Sequence, residues 1–181
     1  RVSRPLMSEW AIAEVVGFLP NASNATLLAV TESGDFVVYK PSRGERPLRD
    51  FPTGTLPRRE VLTFEVSNAL GLGVVPETRM VDGPHGEGSA QRYINEDVEF
   101  DHRSLFLPDL DPALWPIALL DIICDNADRK VGHILKDEGT GQLWAIDNSL
   151  TFNAEPKLRT VLWGFAGAPV PSELEDSLRR L

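Results

Sequence analysis

The sequence has a single cysteine, which rules out a disulfide within the chain. Cys124 lies in the apolar run LLDIIC and reads as a packing residue rather than a reactive thiol. Such a chain suits a reducing cytoplasm. Also missing is any uninterrupted apolar run of roughly eighteen residues, the length a membrane-spanning helix needs. The opening stretch RVSRPLMSEWAIAEVVGF has no apolar core followed by a small-residue cleavage site. The expectation is a soluble, cytoplasmic protein with no stable membrane insertion. On that expectation the sequons at Asn21 and Asn24 are not glycosylated. Positive charge is scarce too. The 18 Lys and Arg residues face 27 Asp and Glu, a net charge of −9, which disfavours nucleic acid as a partner. What positive charge there is gathers locally. Arg43, Arg46, Arg49, Arg58 and Arg59 fall in one stretch rich in Pro and Gly, a patch able to meet phosphate.

What is present suffices for a folded core. A chain of 181 residues, 42% hydrophobic and 25% charged, forms one domain or two intimately packed lobes. The first third alternates short apolar runs with turns, at 14–17, 25–30 and 36–39, and predicts an antiparallel sheet. Apolar residues at helical spacing predict a helix over 58–70, stopped by Gly71. Residues 74–80 and 89–94 predict a further strand pair around the glycine-rich turn 82–88. After an acidic, irregular stretch, Asp111 and Pro112 open an apolar helix that runs to Cys124. A hairpin is expected from strands 133–136 and 143–146. Helices are expected over 156–163 and after a capping box of Ser172 with Glu175.

The densest polar cluster is Asp125-Asn126-Ala127-Asp128-Arg129-Lys130, between a buried helix and an apolar strand. Loops so placed often carry function. Asp147 ends the next strand, and the hairpin would return it to the same loop. Phosphoryl transfer needs a carboxylate near the acceptor hydroxyl, a carboxylate for a divalent metal, and a cation on the phosphates. Asp128, Asp147 and Lys40 supply those residue types. Lys40 ends the strand at 36–39, and either Glu60 or Glu65 on the following helix could hold its ammonium.

With these residues in view, LDIICDNADRKVGHIL and AIDNSLTF resemble the catalytic and metal-binding stretches of type II phosphatidylinositol 4-kinases. VVYKP, RREVLTFEVSNALGLGVVPET and KLRTVLWGF support the match. Over nearly its whole length the chain looks like the phosphatidylinositol 3- and 4-kinase-like superfamily, closest to a short actinobacterial group of unknown substrate. The resemblance implies an α+β, two-lobed kinase-like fold in a single domain, 1–181. An N-lobe would cover 1–94, with its hinge at 91–94, and a reduced C-lobe 95–181. It implies Asp128 as the catalytic aspartate, Asp147 as the metal-binding aspartate, Lys40 on the phosphates of ATP, and Glu60 as its ion-pair partner. Gln91, Arg92, Tyr93 and Ile94 would lie beside adenine, and the turn 18–24 would cover the phosphates through Ser23, Asn24 and backbone amides.

The chain departs from the pattern at His133, where such kinases usually carry a metal-binding asparagine five residues after the catalytic aspartate. Imidazole is a poor Mg²⁺ ligand. The exchange favours Mn²⁺, leaves one Mg²⁺ on Asp147, or marks a weakened enzyme. Only the short stretch 148–181 follows Asp147, so a large helical platform for docking peptides is not expected.

The expected activity is ATP- and metal-dependent transfer to a protein hydroxyl, including the chain's own, or to another small hydroxyl acceptor. The alternatives are a phosphatidylinositol or inositol kinase, a nucleotide-binding pseudokinase acting as sensor or scaffold, and nucleotidyl transfer with ATP reversed. Plainer readings stand beside these. Lys40 could be a solvated strand end, Asp128 a turn aspartate paired with Arg129, Asp147 a turn residue, and His133 a core histidine. Arg159 could snorkel over Trp163.

Overall fold

Alternation of apolar and polar residues along the first third drives strand pairing. In the computed structural model, which describes residues 10–19, 25–106 and 109–179, it builds one antiparallel sheet. Its strands are β1 (Ile12–Phe18), β2 (Leu27–Thr31), β3 (Phe36–Pro41), β4 (Thr78–Gly83) and β5 (Gly86–Arg92), in the order β1-β2-β3-β5-β4. The architecture is α+β. Contacts divide the chain into two units, the first drawn from Arg1–Val61 and Glu77–Tyr93, the second from Leu62–Pro76 and Ile94–Leu181.

In the first unit the two-residue period of β3 sends Val37 and Tyr39 into an apolar interior with Trp10, Leu27, Ala29 and Ala90. Val38 and Lys40 fall on the opposite face of the strand. Register fixes the cross-strand partners: Tyr39 lies opposite Leu27 on β2 and Ala90 on β5, and Lys40 lies opposite Ser89. Trp10 closes the interior with its ring under the guanidinium groups of Arg79 and Arg92, at 5.3 and 5.8 Å.

The predicted helix at 58–70 is α1 (Leu56–Ala69). The Glu45 carboxylate accepts the backbone N–H groups of Gly54 and Leu56 at its start. At its end Gly71 takes φ 68°, and the Leu72 N–H closes on the Ser67 carbonyl, a left-handed stop that favours glycine.

The second unit packs around α2 (Trp115–Ile123) and a short hairpin of β6 (Ile134–Lys136) and β7 (Leu143–Ala145). Val74, Leu105, Leu114, Ile117, Leu120, Cys124, Ile134 and Ala145 are among the buried residues of its core. Asp111 does cap this region, accepting the Ala113 N–H at 2.9 Å, but Pro112–Leu114 is a 3-10 turn and the α-helix proper begins at Trp115. The final helix, α3 (Ser172–Leu178), follows Pro171 with no side-chain cap, so the capping box of Ser172 and Glu175 does not form.

Two more expectations are corrected. The strand predicted from residue 74 begins only at Thr78, because Val74 belongs to the second core and its carbonyl accepts the Ala145 N–H at 2.7 Å. No helix forms over 156–163. There the Lys157 N–H goes to the Asp125 carboxylate and the Arg159 N–H to the Asn126 carbonyl, while the Arg159 carbonyl accepts from the Arg129 N–H. Those groups are therefore unavailable for a helical ladder.

Candidate active site

In the first unit the face of β3 opposite the apolar interior presents Lys40. Its ammonium donates to Glu60 Oε1 at 2.7 Å, and Glu60 Oε2 accepts the Ser89 hydroxyl at 2.9 Å. The pair is deeply placed, with 19% of the lysine side chain and 1% of the glutamate side chain exposed. Of the two acids left open by the sequence, Glu65 is exposed and Glu60 is the one Lys40 meets. The buried positions of α1 explain the choice. Leu56, Glu60, Thr63 and Ser67 recur at helical spacing, so the buried stripe of this helix is largely polar.

The four residues at 91–94 do different things. Gln91 is buried and its amide donates to Thr78 Oγ1 at 2.9 Å. The Arg92 guanidinium reaches Asp35 and Glu77, each at 3.4 Å. The N–H groups of Arg92 and Tyr93 go to the carbonyls of Glu77 and Phe36. Tyr93 exposes its ring and Ile94 is buried. Ser23 and Asn24 lie outside the described residues.

In the second unit the Asp128 loop hangs on one buried guanidinium. Arg129, with none of its side chain exposed, donates to both oxygens of Asp121 on α2, to Asn148 Oδ1, and to the carbonyls of Ile146 and His133 at 2.8 and 3.3 Å. A single planar fork thus joins the residue after Asp128 to the residues either side of Asp147. Asn126 adds a second tie, donating to Asp121 Oδ1 and accepting the Asp128 N–H. Thr160 satisfies the other Asp121 oxygen at 2.9 Å. This corrects the reading of Arg129 as a surface partner of Asp128. That part is taken by Lys130, whose ammonium lies 2.7 Å from Asp128 Oδ2.

Asp147 follows β7 with φ 53° and keeps 44% of its side chain exposed. Asp125 and Phe152 also have positive φ, so all three non-glycine residues in the left-handed region among those described fall on the loops beside Asp128 and Asp147. Such strain gathers at functional sites. His133 Nε2 lies 3.3 Å from Asp147 Oδ2, while its buried Nδ1 has no partner. Burial pushes the imidazole below its ordinary value, and the carboxylates of Asp147 and Asp128 pull the other way.

Among the described residues no three His, Cys, Asp or Glu side chains converge to hold a metal by themselves. Asp147 with His133 supplies two donors. Two donors are too few for a resident all-protein metal site, and the imidazole suits Mn²⁺ better than Mg²⁺ in an ion that would take its remaining ligands from a bound group. Cys124 takes no part: burial first, and then Asp121, push its thiol up to about 12.

Ser89, Asp121 and Asn148 are the site residues that sequence reasoning missed, and the polar cluster 125–130 hid the separate roles of Asn126, Arg129 and Lys130. Asp121 had a legible signal, since it is the only polar residue in the α2 sequence WPIALLDII. An unpaired acid there would be costly, so a buried cation is demanded.

No protein-family model matches the chain. It is similar to Protein Rv2133c of Mycobacterium tuberculosis (strain ATCC 25618 / H37Rv), with 38% identity over 204 aligned positions that cover 92% of this chain and 73% of that protein.

Proposed function

The chain belongs to the family of Protein Rv2133c from an actinobacterium, and within that family we propose a function for it: ATP- and metal-dependent phosphoryl transfer by a two-lobed, kinase-like fold. The observation that carries this reading is the Lys40–Glu60 pair, 2.7 Å apart with the carboxylate almost dry. Replacing a buried ion pair by apolar residues of similar volume is often neutral or even stabilising. Stability therefore gives little reason to keep it, whereas a fixed ammonium on a strand is what a polyphosphate requires.

In the proposed reaction Lys40 neutralises phosphate charge, and Glu60, steadied by Ser89, holds the ammonium in one direction. Asp128 receives the proton of the acceptor hydroxyl as its oxygen forms a bond to the terminal phosphorus, and ADP leaves. Lys130, 2.7 Å from Asp128 Oδ2, orients the Asp128 carboxylate. Asp147 and His133 would hold the divalent metal, which when bound supplies charge neutralisation at the phosphate oxygens. Arg129 touches no reacting atom in this scheme and acts by fixing both loops. The acceptor is a protein hydroxyl, that of the chain itself included.

Incubation with labelled ATP and either Mg²⁺ or Mn²⁺ tests the reading. Phosphate on protein is expected, and Asp128→Asn is expected to lower transfer by ~10²–10⁴-fold while ATP binding persists. Label on phosphatidylinositol alone would replace the protein acceptor by a lipid. AMP on the target would indicate reversed ATP, and tight binding without transfer under either metal would leave a nucleotide sensor. The sensor is favoured by one observation, the imidazole of His133 beside Asp147 where an oxygen ligand is expected.

A further inference from the structure

The β4–β5 turn lies over the apolar interior of the first unit, and Tyr39 holds it there. Its hydroxyl donates to the Gly86 carbonyl. A Cβ at position 83 would come within 2.7 Å of the Tyr39 ring, so the turn can approach this closely only with glycine there. Beside this anchored turn is a hollow of about 270 Å³. The rings of Phe18, Pro41, Pro84 and His85 line it, together with buried Leu27 and exposed Arg43.

Leu27 and Pro41 share the Tyr39 face of the sheet, opposite the face of Lys40, so this hollow is separate from the Lys40–Glu60 site. Its chemistry is specific in two respects. Phe18 leaves 77% of its surface in water at the rim, apolar area that a ligand would cover. Among the described residues Arg43 makes no ion pair and no carboxylate lines the hollow, although the chain as a whole carries a net charge of −9. An apolar rim that a ligand would desolvate, with one guanidinium beside it, recognises an anion attached to a flat apolar body. At this volume, below the ~300–1,000 Å³ of sites for drug-sized ligands, the body is one or two rings.

We propose that this hollow binds a small soluble aromatic carboxylate, its ring among Phe18, Pro41, Pro84 and His85 and its carboxylate on Arg43. Calorimetric titration of the whole chain with 2-naphthoate and with neutral 2-naphthamide tests it. Saturable binding of the carboxylate at one site is expected, with the amide at least ~10-fold weaker. Arg43→Gln is expected to lower naphthoate affinity to the level of the amide, while Arg58→Gln, at an exposed arginine that does not line the hollow, leaves it unchanged. Absence of saturable binding, equal affinity for acid and amide, indifference to Arg43→Gln, or loss of binding in Arg58→Gln would each overturn the proposal.

Discussion

Asp121 and Arg129 carry opposite charges with no exposed side-chain surface, so each exists at the expense of the other's desolvation. Arg129→Met is expected to cost ~3–5 kcal/mol, because it strands Asp121 as an unpaired buried charge; urea unfolding measures this, and a cost under about 1 kcal/mol would contradict it. Arg129→Lys keeps the charge but not the fork. It is expected to lower phosphotransfer turnover more than the KM for ATP, since the Asp128 and Asp147 loops lose their common brace. Cys124 gives a second check. With its thiol pushed up to about 12, only roughly one part in ten thousand is thiolate at pH 8, so iodoacetamide should label it no faster than the protein opens. The folded thiol stays protonated where the unfolded one ionises. Native stability should therefore fall as pH rises past the ordinary value of 9.0, and Cys124→Ala should flatten that fall. Rapid labelling of native protein at pH 8 would refute this burial. Single residues were the most legible level in the sequence where polarity clashed with context, as for Lys40 in a strand or Asp128 in its polar loop. The inward turn of Arg129 was not legible, because nothing in DNADRK distinguishes a guanidinium facing solvent from one facing inward.

Elements were legible where their signal is local. β3, α1 and the β6–β7 hairpin lie within a few residues of expectation, since period, glycine stops and turn residues act over short range. The stretch 156–163 was not legible, because its backbone partners are Asp125, Asn126 and Arg129, some thirty residues earlier. The same holds for the start of α1. Its cap is not the adjacent Thr55 alone but Glu45, which reaches across to the N–H groups of Gly54 and Leu56. Glu45→Ala is expected to cost ~1 kcal/mol in unfolding free energy, with Glu45→Gln recovering part of it as an uncharged acceptor. Equal stability of Glu45→Ala and the parent would show that the helix start is held by other contacts. Because α1 supplies Glu60, the alanine variant should also weaken whatever Lys40 binds.

At the scale of the molecule the candidate groups fall into two sets. Lys40, Glu60 and Ser89 stand together in the first unit, and Asp128, Lys130, His133 and Asp147 in the second. Each set is held by buried polar partners: Ser89 on Glu60 in the first, and Asp121, Asn126, Arg129 and Asn148 in the second. The proposed function assigns phosphate binding to the first set and the acceptor and metal chemistry to the second. Calorimetric titration of ATP with Mn²⁺ into the whole chain tests that most directly. A single site is predicted, weakened at least ~10-fold by Lys40→Met and likewise by Asp147→Asn. No nucleotide binding, or binding indifferent to either substitution, would contradict it.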